Sequence, residues 1–211
     1  MIRCLVLVAA VFGCCPVAGA LPAFEEKDGR IVIEVESQRP AGYWRSQRQL
    51  PGFTGKSYYT WRGPNTYAHP GIGVLTYVFD VKTPGTYQLR IRNRHDYRDN
   101  SLRNDCFTRI DGGKWIKTYS STRGAWTFST IHDLGPDRKP NASYELEAGR
   151  HVLQISGRSY GFSIDRIHLF NDEAEGGEDA SAPETRAVRT LPAIIRPPTD
   201  DEPPLRPVPK P

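Results

Sequence analysis

The sequence predicts an all-β domain, an antiparallel β-sandwich of the jelly-roll type. Three observations carry that prediction. About ten short runs rich in β-branched and aromatic residues succeed one another, and Gly, Pro, Asn and Asp punctuate them roughly every 8–12 residues. No stretch keeps the 3.6-residue apolar period of a packed helix.

Taken in order, Leu21 to Gly29 is a polar lead-in, and Ile31 to Ser37 is the first expected strand. Gln38 to Lys56 is a long loop broken by Pro40, Gly42, Pro51 and Gly52 and carrying Tyr43, Trp44 and Phe53. Ser57 to Trp61 and Gly73 to Val81 follow as strands, and Pro84-Gly85 turns the chain. From Thr86 to Asn93 the alternation is clean, with Tyr87, Leu89 and Ile91 on one face and Gln88, Arg90 and Arg92 on the other. Cys106–Ile110 and Lys114–Tyr119 flank an Asp111-Gly112-Gly113 hairpin turn. Trp126–Ile131, Tyr144–Leu146, His151–Ser156 and Phe162–Phe170 complete the set.

The ends have different chemistry. Residues 1–20 read as a secretory signal: Met1-Ile2-Arg3 is basic, Leu5 to Phe12 is apolar, and Ala18-Gly19-Ala20 suits a cleavage site. That segment is too short for a membrane span. It predicts a secreted, periplasmic or cell-surface protein, with Cys14 leaving lipid anchoring as a lesser reading. Cys4, Cys14 and Cys15 fall inside it, so the expected mature chain keeps Cys106 alone and no internal disulfide. Residues 30–170 form the expected domain. Residues 171–211 turn acidic and then proline-rich and are expected to be a disordered tail, whose proline segment could serve a protein partner.

Charge is uneven. Residues 21–170 carry a net +7 and residues 171–211 a net −4, within a total of +4. A modest positive surface favours anionic partners such as acidic polysaccharide. It lacks the clustered basic runs of a nucleic-acid binder.

Catalytic machinery is sparse. The five histidines show no metal-ligand spacing, and no nucleophile elbow or phosphate-binding glycine loop is present. Glu34 and Glu36 would share one strand face about 7 Å apart, and Asp165 falls on the face of Ile167 and Leu169. Spacing leaves two readings open. The three carboxylates could share one calcium ion or a basic partner, or the glutamates could be solvated beside an Asp165–Arg166 surface pair.

Two further groups could meet a ligand. The basic segment Arg90, Arg92, Arg94, His95, Tyr97, Arg98 and Arg103 could grip a carboxylated or sulfated glycan, or could be a solvated strand face. Arg94, His95 and Tyr97 converging in one groove would instead suggest a lyase-type enzyme acting on an anionic glycan. Loop aromatics Tyr43, Trp44, Tyr97, Tyr119 and Tyr160 could stack on sugar rings, while Trp61, Trp115 and Trp126 sit near strand ends.

Six segments in order resemble a known family. They are Glu34-Val35-Glu36, Gly52 to Tyr58, Pro84-Gly85-Thr86-Tyr87, Asp105 to Gly113, Ala148-Gly149-Arg150-His151 and Ser163 to Ile167. Together they look like the non-catalytic carbohydrate-binding modules of families 6 and 35, which are galactose-binding-like jelly rolls. The resemblance implies a structural calcium on Glu34, Glu36 and Asp165 and a sugar site in loops at one end of the sandwich. Ser163 stands where family 6 members often have Asn, and Gly124-Ala125-Trp126 replaces a Gly-Gly-Trp loop.

The sequence therefore predicts a non-catalytic carbohydrate-binding domain with calcium as structural cofactor. Tyr43, Trp44, Tyr119 and Trp126 are the expected stacking surface, and Arg94 and Asn104 the expected polar contacts. A protein-docking domain on the same fold would instead show a contiguous apolar patch.

Overall fold

In the computed structural model, which describes residues 21–99 and 101–189, two β-sheets pack face to face. In chain order the strands are β1 (Pro22–Glu25), β2 (Arg30–Glu34), β3 (Trp44–Gln47), β4 (Tyr58–Trp61), β5 (Leu75–Val81) and β6 (Gly85–Arg94). Then come β7 (Asp105–Ile110), β8 (Ile116–Tyr119), β9 (Ile131–Asp133), β10 (Ser143–Leu146), β11 (Gly149–Gly157), β12 (Ser163–Phe170) and β13 (Ala187–Arg189). One sheet runs β13-β1-β5-β11-β7-β8-β9 and the other β10-β6-β12-β4-β3, with β2 beside β12. Every strand pairing is antiparallel except the parallel β1–β5 pair.

Period-two alternation fills the space between the sheets. Tyr77 and Phe79 of β5, Leu153 and Ile155 of β11, Leu89 and Ile91 of β6, and Ile164, Ile167 and Leu169 of β12 are all buried. Each such side chain stabilises the fold by roughly 1.5–3 kcal/mol through apolar area removed from water. Trp61 packs edge-on against Trp44 with ring centres 5.4 Å apart. The Trp61 ring also lies so close to the backbone of Gly157 that a Cβ there would approach it to 2.2 Å. Cys106, the one cysteine among the described residues, is free and buried.

Tertiary context redraws several expected elements. The first strand stops at Glu34, and Val35–Ser37 forms a 3-10 turn, so Glu34 and Glu36 do not share a strand face. The cause lies in β12. Its residues Arg166–Phe170 pair with β2, whereas Ser163 and Ile164 pair with β4. The ladder of β2 ends at Glu34↔Arg166, so Val35–Ser37 have no partner strand there. At that junction β12 shifts register between Ile164 and Arg166. This bulge turns Asp165 away from the face of Ile167 and Leu169 that simple alternation assigns it.

The lead-in forms β1, and β3 lies within the expected long loop. The strand expected over Trp126–Ile131 begins only at Ile131, Thr127 making a single bridge to Asn93. The domain also continues past Phe170. Residues 171–189 lie along β2, β6 and β12 and end in β13, in place of a disordered tail. Buried polar groups of the sheet explain the attachment. Arg90 donates to Glu178, His168 Nδ1 bonds to the Gly177 carbonyl, and Arg166 donates to the carbonyls of Ala180 and Ala182. Glu184 accepts from the Glu34 amide and the Ser37 hydroxyl. The expected signal (1–20) and the proline-rich segment with its expected protein partner (190–211) lie outside the described residues. Among the described residues no helix is long and apolar enough to cross a membrane.

Candidate functional site

A groove of about 470 Å³ opens where the 95–104 loop, the β11–β12 turn and the outer side of β4 meet. Thr60 and Ser163 line its floor, their hydroxyls 2.8 Å apart across the β4–β12 pair. Tyr97, Arg103, Tyr160 and Arg62 form its walls. The Arg103 guanidinium lies 4.3 Å from the Tyr97 ring centre and 5.6 Å from that of Tyr160. Arg62 lies 5.6 Å from the same Tyr160 ring. Tyr160 is 40% exposed, and its backbone amide is held by the Asn65 side chain at 2.9 Å.

A second recess of about 420 Å³ shares Tyr97 and Arg103 and is completed by Asn65, Tyr67, Lys117 and Arg158. Here Arg158 is committed to Asp105, which also accepts from the Ser159 hydroxyl. Neither Arg62 nor Arg103 has a carboxylate partner among the described residues. Backbone strain gathers at the same place. Of the four described non-glycine residues with positive φ, Tyr67 (44°) and Arg103 (56°) both line these recesses. Such conformations cost free energy and persist where the surrounding structure enforces them, commonly at binding sites.

His95 also lines the groove but is only 1% exposed, and burial holds its pKa below the usual imidazole value. The ring is therefore neutral and closed off. Arg94 turns from the groove wall to Asp96, with both oxygens at 3.0 Å.

The carboxylates expected to hold calcium meet at the β12 bulge. The Thr54 hydroxyl lies 2.9 Å from Glu34 Oε2 and 3.1 Å from Asp165 Oδ2, and the Thr54 amide donates to Asp165 Oδ1 at 3.0 Å. Arg166 donates to Glu34 Oε1 and Arg92 to Asp165 Oδ2. Burial raises the pKa of both carboxyls, and the facing guanidinium opposes the rise in each case. Glu36 is turned toward the Lys56 and Ser57 amides, leaving its Oε2 buried without a partner. Gly55 sits against it at φ +61°, where a Cβ would come within 2.2 Å of Glu36 Oε1. This arrangement does not fit a calcium cage. Among the described residues no three acid, His or Cys side chains could hold an ion together, whereas calcium takes six to eight oxygens.

No protein-family model matches the sequence, and no curated protein does. Solved structures are similar. A GH26-CBM35 β-(1,4)-mannanase of Podospora anserina aligns at 19% identity over 68% of this chain, with a TM-score of 0.52. A family 35 carbohydrate-binding module from Clostridium thermocellum aligns at 21% identity over 66% of this chain and 98% of its own, with a TM-score of 0.46. The C-terminal family 6 module of a marine laminarinase from Zobellia galactanivorans aligns at 13% identity over 67% of this chain and 99% of its own, with a TM-score of 0.47. What they share with this chain is the two-sheet β-sandwich fold. This chain spans 28% of the mannanase, and at these identities the likeness is one of fold.

On this β-sandwich the six residues expected to bind ligand scatter. Trp44 is 1% exposed, locked against Trp61 with its indole N–H on the Gly73 carbonyl, and so cannot stack on a sugar. Asn104 is likewise buried, its amide donating to the Ser120 carbonyl at 2.6 Å, which makes it a loop-holding residue. Tyr43 is exposed but sits edge-on to Trp61 outside the groove. Tyr119 lies on the other sheet between Lys117 and Lys139. Trp126 packs on Tyr58 at 5.1 Å and donates to the Pro51 carbonyl. The groove is built instead from Tyr97 and Tyr160, both recognisable as loop aromatics, and from Arg103 of the basic segment. Arg62 and Asn65 carry no sequence signal beyond following a strand that ends in Trp61.

Proposed function

We propose that this chain is a non-catalytic carbohydrate-binding domain that takes an anionic poly- or oligosaccharide in the groove beside Tyr97 and Tyr160. The carrying observation is Arg103 between these two rings, with Arg62 on the second and neither cation neutralised by a carboxylate. Sugar rings present apolar C–H faces that suit the open parts of the tyrosines. A guanidinium grips a carboxylate or sulfate through paired N–H donors. Tyrosine faces hold the guanidiniums by cation–π attraction without cancelling their charge, so the site stays available to an anion. Thr60, Ser163 and the nearby Gln47 can hydrogen-bond hydroxyl groups along the floor. The similar solved structures include modules of families 35 and 6, which agrees with this reading.

The test is binding of the full chain to an array of uronic-acid, sulfated and neutral glycans, at low and high salt. Retention on acidic glycans that weakens as salt rises is the expected result. Binding confined to neutral glycans would remove the role given to Arg62 and Arg103. A folded chain that binds no glycan would overturn the reading.

A further inference from the structure

We infer that the carboxylate cluster at the β12 bulge is neutralised by the guanidiniums of Arg92 and Arg166 in place of a metal ion, so that this fold does not depend on calcium. Glu34, Glu36 and Asp165 bring three negative charges to one place, and buried charge must be paired or shed. Arg166 is buried and Arg92 partly so, their side chains 4% and 12% exposed. Each is fixed by more than its carboxylate. Arg92 Nη2 donates to the Gly52 carbonyl at 2.9 Å, and Arg166 Nη1 donates to the Ala182 carbonyl at 3.0 Å and to that of Ala180.

The oxygens tell the same story. All four of Glu34 and Asp165 are already engaged by Thr54, Arg92 or Arg166. Glu36 Oε2 is the one carboxylate oxygen of the cluster without a partner. A divalent ion placed there would find the neighbouring Glu34 and Asp165 oxygens already held by guanidiniums. Admitting it by swinging Arg166 aside would strip the Ala180 and Ala182 carbonyls of their donor and loosen the segment that covers β2 and β12. Sequence position also matters. Arg166 stands directly opposite Glu34 in the β2–β12 ladder, so the pair is set by strand register and not by a flexible loop.

The experiment is thermal unfolding of the full chain in excess chelator and in about 1 mM calcium, with calorimetric titration of calcium. The expected result is a midpoint that moves by no more than about 1 °C and no binding heat. A chelator-induced fall of more than about 5 °C, or a midpoint that climbs with calcium concentration, would overturn the inference. Arg166→Met should lower the midpoint, and a variant as stable as the parent would also count against it. Should Arg166→Met not fold, the chelator arm on the unaltered chain decides alone. Calcium that restores Arg166→Met while leaving the parent unmoved would support it, since the ion would then be filling the place that the guanidinium holds.

Discussion

The guanidinium of Arg103 lies 4.3 Å from the centre of the Tyr97 ring, at the rim where two recesses meet. This contact fixes a cation without neutralising it, and Arg103 holds a left-handed backbone conformation to reach that position. Removing the charge should therefore cost binding while sparing the fold. Arg103→Ala should weaken affinity for an acidic glycan about tenfold, equivalent to about 1.4 kcal/mol, and flatten its salt dependence. Isothermal titration against the best array ligand reads both. Tyr160→Ala should also weaken binding yet keep the salt slope.

Gly157 has room for no side chain. A methyl group there would press on the Trp61 ring, which Trp44 and Tyr43 hold in place. Gly157→Ala should destabilise the protein by about 1–3 kcal/mol, as overpacked cores do. Denaturant unfolding would show the loss as a lower midpoint with an unchanged slope.

Acid should destabilise the fold through its buried histidines. Burial lowers the pKa of His132 and His168 to about 4 from the usual 6.5. The unfolded chain then binds protons that the folded one refuses, so stability is fully present above about pH 6.5 and falls as pH drops toward 4. Each histidine can account for on the order of 3 kcal/mol across that window. Unfolding free energy measured between pH 7 and pH 4 should slope downward, and His168→Asn should make the slope shallower.

Truncation after Phe170 should be costly even though β12 is left whole, since it also removes β13 from the edge beside β1. It would remove Glu178 from Arg90, two carbonyls from Arg166 and the Gly177 carbonyl from His168. Leaving a buried arginine short of partners costs about 3–5 kcal/mol. A chain ending at residue 170 should therefore unfold at markedly lower urea than one ending at residue 189.

The sequence by itself determined the sandwich and the core face of β6, because strand alternation is local and that strand is paired along its length. It also marked Tyr97, Tyr160 and Arg103 as loop residues able to meet a ligand. Only the tertiary structure decided which of the aromatics face solvent. Trp44 and Tyr43 are neighbours in the same segment, yet Trp61 buries the first and leaves the second open. The carboxylates show the same limit. Whether Glu34, Glu36 and Asp165 meet a metal, water or a guanidinium depends on where β12 passes from β4 to β2. That bulge aims Asp165 at Arg92 and Arg166 at Glu34, and it arises from contacts more than a hundred residues apart along the chain. The acidic stretch after Phe170 reads as disordered because it has little apolar area of its own. Its order comes from buried arginines and a histidine on strands it reaches only in the folded state.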